Sequence, residues 1–242
     1  MTFQLGVLAA SVVAGAIASV AGFGIGSMLT PIVALSVGTK TAVAAVSVPH
    51  LIGTSIRFWR LRAQLDRPIL WRFGLTSAAG SLAGALLHAN APSPALATVF
   101  GSLLVFAGAT QLTGFAQRWR FHGPAAWIAG AASGLFGGLV GNQGGIRSAA
   151  MLGFDLSKES FVATATAIAL CVDAARMPVY LVAERHAVAE IWVVVLLATG
   201  GVVAGTLGGE RLLHRVADQR FRQVVGALLL ILGLVILVRG RA

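Results

Sequence analysis

The sequence predicts an all-α polytopic membrane protein built from two homologous halves, each with four or five transmembrane segments. Two observations support this fold class: an apolar composition, and a glycine-rich break that occurs twice. Of the 242 residues, 57% are hydrophobic and only 11% are charged, whereas soluble domains carry about 25% charged residues. We therefore expect the lipid bilayer to surround the chain.

Apolar segments follow one another along the whole chain, and most approach the ~20 residues that cross a hydrocarbon core. All should be helices, because a lipid-exposed backbone must satisfy its own hydrogen bonds and no segment alternates with period two. The predicted segments cover residues 3–20, 26–37, 41–59, 69–88, 95–113, 124–141, 144–154, 160–182, 190–208 and 221–238.

The first and sixth of these segments each end in a glycine-rich break. Gly22-Phe-Gly-Ile-Gly26 recurs as Gly141-Asn-Gln-Gly-Gly145, and the same offset places Arg57 on Arg176. Matched blocks in the same order along the chain predict an internal duplication. The remaining blocks align Gly80-Ser-Leu-Ala-Gly84 with Gly201-Val-Val-Ala-Gly205, Gly101-Ser-Leu-Leu with Gly226-Ala-Leu-Leu, and Gly108 with Gly233.

The break sets the topology of the two halves, which we assign to residues 1–120 and 121–242. As one helix, residues 3–37 would measure ~50 Å, too long for a hydrocarbon core of ~30 Å. A break that reverses the chain gives five segments per half and inverted halves, whereas a kink gives four spans and parallel halves. Inversion is favoured, because it places three basic loops together on the cytoplasmic side. These loops cover residues 57–72, 117–122 and 209–222.

Charge and cysteine usage exclude several classes of protein. The net charge of +10 would suggest nucleic acid for a soluble protein, but here the arginines crowd the loops between apolar segments, which is the positive-inside pattern. Cys171 is the only cysteine, so neither a disulfide framework nor a thiolate metal cluster is expected. The sequence contains no Walker-type Gly-x-x-x-x-Gly-Lys-Ser/Thr motif, so the chain does not hydrolyse nucleotide itself. We expect no nucleic acid, metal or cofactor.

Glycine breaks within membrane helices free backbone N–H and C=O groups, which are tolerated at depth only where they line a cavity or bind a ligand. A half-helix that starts after a break points its positive N-terminus inward, which suits an anion. The alternative for such glycines is close helix packing, which we prefer for the Gly80 and Gly201 blocks. The predicted substrate-binding residues at the breaks are Gly22, Gly24, Gly26, Ser27, Asn142, Gln143, Gly144, Gly145 and Arg147.

Arg147 lies in the first turn of the short segment after the second break. An arginine at that depth is costly and is a functional candidate, and its planar fork suits an oxyanion. The alternatives are an arginine that snorkels to the membrane surface and one that pairs with Asp155.

Two equivalent segments carry polar stripes, and equivalent faces of repeat transporters tend to meet at the pseudo-symmetry axis. His50 and Asp173 are candidates for proton coupling, because both residue types can hold or release a proton. Alternatively, Asp173 and Arg176 neutralise each other, and Arg57 ends its helix at the cytoplasmic surface. The stripes are Ser47, His50, Thr54 and Arg57 in the first half and Thr166, Ala169, Asp173 and Arg176 in the second, and Ser47, Thr54 and Thr166 complete the predicted substrate-binding set.

Two glycine-rich stretches carry a family resemblance: Ala21-Gly-Phe-Gly-Ile-Gly-Ser-Met-Leu-Thr-Pro31 and Gly137-Gly-Leu-Val-Gly-Asn-Gln-Gly-Gly-Ile-Arg-Ser148. At these motifs the chain resembles the sulfite exporter TauE/SafE family of bacterial inner-membrane permeases. The resemblance covers essentially the whole chain and implies transport of a small sulfur-containing anion, such as sulfite or an organosulfonate. The second half departs from the family pattern, since Ala150 stands where proline is expected and polar residues replace glycine or apolar residues at Asn142, Gln143 and Arg147.

The leading prediction is a secondary transporter of a small anion, sulfur-containing or carboxylate, in the cell inner membrane, and not an enzyme. An anion channel or a membrane scaffold subunit is the alternative. A membrane-embedded enzyme is less favoured, because the histidines are scattered and the carboxylates lie mostly in loops. Proton coupling and a homodimer stay open.

Overall fold

The computed structural model describes residues 2–115, 121, 123–142, 144–213 and 218–239, and these residues form helices without any β-strand. The basic loops at 117–122 and 209–222 therefore lie partly outside the described residues. The first half contains α1 (Thr2–Ala21), α2 (Ile25–Val37), α3 (Thr39–Leu61), α4 (Arg67–Asn90) and α5 (Ser93–Thr113), with a 3₁₀ turn at Arg62–Gln64. The second half contains α6 (Pro124–Val140), α7 (Gly144–Met151), α8 (Lys158–Ala183), α9 (Arg185–Glu190), α10 (Trp192–Leu213) and α11 (Asp218–Arg239).

Helix length and composition confirm the all-α polytopic membrane fold. Large apolar side chains point outward, with Ile128, Val182 and Val238 exposed by 70%, 81% and 76%, as expected for a surface that faces lipid. Among the described residues, the helices long and apolar enough to cross a membrane are Thr2–Ala21, Ser93–Thr113, Glu159–Ala183 and Trp192–Gly209, and shorter apolar helices cover Ile25–Val37, Pro124–Val140 and Gln223–Arg239.

The first glycine break reverses the chain. Arg57, near the end of α3, donates to the carbonyl oxygen of Ala18, near the end of α1. The C-terminal ends of these two helices therefore lie at the same level. The α2 helix starts at the same level, because Ile25 contacts Gly53 of α3. It then runs back to Gly38, the single residue between α2 and α3. The α2–α3 pair is therefore a helical hairpin, and the break is a turn rather than a kink.

The two halves have opposite orientations. Equivalent helices α5 and α11 pack antiparallel, with Gly101 against Leu237 and Gly108 against Leu230. The α3 and α8 helices are antiparallel in the same way. Halves related by an axis along the membrane normal would make equivalent helices run parallel, so these contacts indicate inverted halves related by an axis in the membrane plane.

Helix boundaries recur at two offsets. The starts of α7 and α8 follow those of α2 and α3 by 119 positions, and the starts of α10 and α11 follow those of α4 and α5 by 125. The connection from α8 to α10, which holds the six-residue α9, accounts for the longer offset. These boundaries agree with an internal repeat, and its division into residues 1–120 and 121–242 stays a prediction.

The predicted alignment of Gly80 with Gly201 is wrong by one helical turn. Gly80 packs against the carbonyl group of Ala131 in α6, and Gly205 packs against the carbonyl group of Val12 in α1. Ala131 and Val12 are equivalent at the offset of 119, so the contacts pair Gly80 with Gly205 instead. The packing role predicted for these glycines is confirmed, because α4 lies on α6 and α1 lies on α10 through backbone contacts.

Candidate functional site

The two glycine breaks share one backbone geometry. Gly22 and Gly141 end α1 and α6 in the left-handed conformation, with φ of 75° and 73°. Each N–H group donates to the carbonyl oxygen four residues earlier, Gly22 to Ala18 at 3.0 Å and Gly141 to Gly137 at 3.0 Å. Glycine ends a helix this way without the strain that a side chain would meet.

The breaks of the two halves touch each other. Gly26, in the first turn of α2, lies so close to the carbonyl oxygen of Gly141 that no side chain fits between them. Beside this contact, Ser27 Oγ donates to Asn142 Oδ1 at 2.9 Å. The first turn of α2 therefore meets the second break, and the N–H groups of such a turn have no intrahelical partner.

Arg147 of α7 is the charged group at this meeting point. Its side chain is buried, with 2% exposed, and Nη2 donates to the carbonyl oxygen of Gly22 at 3.2 Å. Within the described residues, Nε and Nη1 of Arg147 are buried without a hydrogen-bond partner. The snorkelling alternative is wrong because the side chain is buried, and the described residues show no ion pair between Arg147 and Asp155.

Arg57 and Arg176, which the repeat makes equivalent, hold equivalent positions. Arg57 donates to the carbonyl oxygen of Ala18 and, through Nη2, to Thr54 Oγ1 at 3.0 Å. Arg176 donates through Nη1 to the carbonyl oxygen of Gly137 at 2.7 Å. Both arginines are buried, so the expectation that Arg57 ends its helix at the cytoplasmic surface is wrong. The end of α1 covers the side chain of Arg57.

The two polar stripes meet through a buried carboxylate. Asp173 Oδ2 lies 2.7 Å from Nδ1 of His50, which joins α8 to α3. Asp173 Oδ1 accepts from Nε of Arg176 at 3.0 Å and lies 2.7 Å from its Nη2. The predicted i,i+3 pair of Asp173 and Arg176 is therefore present, and the same carboxylate also binds His50.

Positive charge exceeds negative charge at this site. Among the described residues, the buried charged side chains are Arg57, Arg147, Arg176 and Asp173. With His50 neutral, their charges sum to two positive charges in excess. Arg57 and Arg147 carry like charges and bond the same end of α1. Since a buried charge without a counter-ion is costly, this arrangement suits a bound anion.

The remaining predicted break residues are three glycines and Gln143. Gly24 adopts a φ of 136° between α1 and α2. Gly144 packs against the side chain of Phe23, so it also lies where the two breaks meet, whereas Gly145 faces α5. Gln143 lies outside the described residues.

The hydroxyl groups of Ser47 and Thr166 each bond a carbonyl oxygen of their own helix, and Ser47 Oγ also lies 3.0 Å from Sδ of Met177 in α8. Ser47 Oγ donates to the carbonyl oxygen of Ala44 at 2.5 Å, and Thr166 Oγ1 donates to that of Val162 at 2.7 Å. Ser47 also lines an apolar cavity of about 340 Å³ between α3, α8, α9 and α10. The structure therefore does not bring these two hydroxyls to the guanidinium group of Arg147.

Comparison with known proteins agrees with this architecture. A family model described as Sulfite exporter TauE/SafE matches residues 7–236, nearly the whole chain. The chain belongs to the TauE/SafE family. This is a family of membrane transporters, and the resemblance found in the paired glycine motifs is confirmed. No curated protein and no solved structure matches the chain.

In this TauE/SafE member, sequence reasoning left Arg57 and Arg176 out of the candidate binding site. A signal was present, because the two arginines align at the offset of the glycine breaks. The carbonyl groups that bind them, on Ala18 and Gly137, gave no signal, since any residue carries such a group.

Proposed function

We propose that this TauE/SafE protein is a secondary transporter that moves a small anion, sulfite or an organosulfur or organic anion, across the bacterial inner membrane. The substrate would bind where the two glycine breaks meet. One observation carries the proposal: Arg147 is buried at that contact, and its Nε and Nη1 have no partner among the described residues. A buried guanidinium group with free donors suits the planar, multi-oxygen face of an oxyanion.

The backbone supports the same role. The α2 and α7 helices start at the breaks, and helix N-termini attract anions through their dipoles and free N–H groups. Paired discontinuous helices at the interface of inverted repeats are a recurring arrangement in secondary transporters. In this proposal the protein is not an enzyme, and its chemistry is binding and release.

Proton coupling is the finer part of the proposal. His50 and Asp173 face each other at 2.7 Å across the interface of the two halves. An imidazole changes charge near neutral pH, and an intramembrane carboxylate next to it can share the proton. Movement of the two halves against each other would then change the proton occupancy of this pair together with access to the anion.

Flux in proteoliposomes tests the proposal. Sulfite, sulfate, thiosulfate and sulfoacetate would be offered to the wild-type protein and to Arg147→Ala, with insertion checked by protease protection. We expect saturable, trans-stimulated flux in the wild type and none in Arg147→Ala. Arg147→Lys should recover only part of it, because the charge returns without the fork.

Two results would contradict the proposal. Wild-type flux in Arg147→Ala would show that the residue does not bind the substrate. Rapid downhill flux without exchange would indicate a channel rather than alternating access.

A further inference from the structure

The two equivalent arginines differ in what neutralises them. Arg176 is bound by the carboxylate of Asp173 through Nε at 3.0 Å and Nη2 at 2.7 Å. Arg57 has Thr54 at the equivalent position, and Nη2 donates to its hydroxyl at 3.0 Å. A hydroxyl group accepts a hydrogen bond but brings no charge. The first half therefore keeps a buried positive charge that the second half neutralises.

Arg57 and Arg147 lie on the same turn of backbone. Arg57 donates to the carbonyl oxygen of Ala18, and Arg147 donates to that of Gly22. The N–H group of Gly22 itself donates to the carbonyl oxygen of Ala18 at 3.0 Å, so the two residues whose carbonyl groups bind the arginines are one helical hydrogen bond apart. The two guanidinium groups are thus anchored one turn apart at the end of α1.

Both arginines retain donors after these bonds are made. Nε of Arg57 and Nε and Nη1 of Arg147 are buried, and within the described residues none has a hydrogen-bond partner. Unpaired buried donors of charged groups cost free energy. Three such nitrogen atoms on two adjacent guanidinium groups match a ligand with several acceptor oxygens.

We infer that Arg57 is a second anion-binding residue, which holds the substrate together with Arg147 at the end of α1. The inference rests on the proposed function, since it concerns the same anion. It also states the charge of the substrate: a site with two positive charges in excess favours an oxyanion with two negative charges over one with a single charge. The anion lies towards the first half, because the guanidinium group of Arg176 is already bound by the carboxylate of Asp173.

Binding of a matched anion pair tests this inference. Sulfate carries two charges, and methanesulfonate has one oxygen replaced by a methyl group and carries one. Affinities would be measured by calorimetry on purified protein in nanodiscs. We expect the wild type to prefer sulfate, and Arg57→Gln to lose about 10- to 100-fold in sulfate affinity, the range of one charged hydrogen bond. Methanesulfonate affinity should fall less.

A second variant keeps Arg57 in place. Thr54→Asp introduces the carboxylate that the second half carries at Asp173, so it should neutralise Arg57 and reduce sulfate binding as Arg57→Gln does. Thr54→Asn has nearly the same size without the charge, so the ratio of sulfate affinities between the two variants measures the charge alone. Arg72→Gln makes the same chemical change at an exposed position and should bind like the wild type.

The outcomes separate this inference from the proposed function. Wild-type sulfate affinity in folded Arg57→Gln or Thr54→Asp would overturn it, as would a wild type that binds methanesulfonate as tightly as sulfate. The proposed function would still stand in both cases if Arg147→Ala abolished anion binding and flux. If Arg147→Ala bound both sulfate and methanesulfonate as tightly as the wild type, the proposed function would be overturned.

Discussion

The break between α1 and α2 and the break between α6 and α7 have nearly the same backbone but different charges. At both, the preceding helix ends in a left-handed glycine. At both, an arginine from the third helix of the half also donates to a carbonyl oxygen in the last turn of that preceding helix. At the second break a carboxylate neutralises that arginine. At the first break the described residues place the hydroxyl group of Thr54, and no carboxylate, beside Arg57. Arg147 from the other half adds a further positive charge there.

The difference arises at few positions of the repeat. Thr54 corresponds to Asp173, and Met28 corresponds to Arg147, at the offset of 119. The duplicated backbone places an equivalent arginine at each break. These two differences between the halves leave the second break neutral and the first break positively charged. The two breaks can thus carry different charges while both halves keep the same architecture.

The largest expected effect separates the neutral break from the cationic one. Asp173→Asn should destabilise the protein by about 3–5 kcal/mol, because Arg176 becomes a buried charge without a counter-ion. Thermal unfolding in detergent would measure it. Thr54→Asn, at the equivalent position of the first half, should change stability far less, since no carboxylate is lost there.

A double variant controls this prediction. Asp173→Asn combined with Arg176→Gln returns the buried excess to two positive charges and should recover most of the stability. A single variant Asp173→Asn that melts with the wild type would show that the pair at the second break is not needed to neutralise Arg176.

The equivalent glycines Gly26 and Gly145 give a smaller, steric contrast. A methyl group at Gly26 would strike the carbonyl oxygen of Gly141, a backbone atom that cannot move cheaply, so Gly26→Ala should cost about 1–3 kcal/mol. At Gly145 the nearest atom to an added Cβ is Cβ of Ala107 at 3.6 Å, an ordinary contact. Gly145→Ala should be neutral or stabilising by up to about 1 kcal/mol.

Thermal unfolding of the two glycine variants side by side measures this contrast. Equal destabilisation by both would mean that the breaks do not meet through Gly26 in the membrane.

At His50 the quantity that changes is the pH dependence of flux, not the stability of the fold. If the His50–Asp173 pair carries the coupled proton, His50→Gln should remove the pH dependence of net flux while sparing substrate exchange, which needs no net proton movement. The Asp173→Asn and Arg176→Gln double variant tests the carboxylate without leaving Arg176 unpaired. If net flux stayed pH-dependent in both variants, the His50–Asp173 pair would have a structural role and would not carry the coupled proton.

Much of the fold could be predicted from hydropathy because span length is set by the bilayer. The predicted segment 26–37 became α2 (Ile25–Val37), and 95–113 became α5 (Ser93–Thr113). The glycine alignment in α10 failed for a physical reason. Glycines recur there at 201, 205 and 209, so neighbouring turns look alike until their contacts with α1 are known.

The candidate site was only partly predictable. Arg147 could be found because an arginine within an apolar segment is expensive. Arg57 was misplaced because it lies four residues before the end of α3 at Leu61, where an arginine ordinarily reaches the surface. Its burial depends on the last turn of α1 folding over it, a tertiary contact that no local pattern encodes.

Protection of a cysteine at the contact of the two breaks tests the central claim most directly. Cys171 is the only native cysteine, so Ser27→Cys in a Cys171→Ala background gives a single thiol beside Asn142. Maleimide labelling would be timed with and without the non-thiol-reactive anion that gives the strongest exchange. Gln64→Cys, on the exposed 3₁₀ turn, serves as the control.

We expect the anion to slow labelling of Ser27→Cys several-fold, to leave Gln64→Cys unaffected, and to lose its effect when Arg147→Ala is added. Labelling of Ser27→Cys at the same rate with and without saturating anion, in protein that still transports it, would contradict binding at the meeting point of the two breaks.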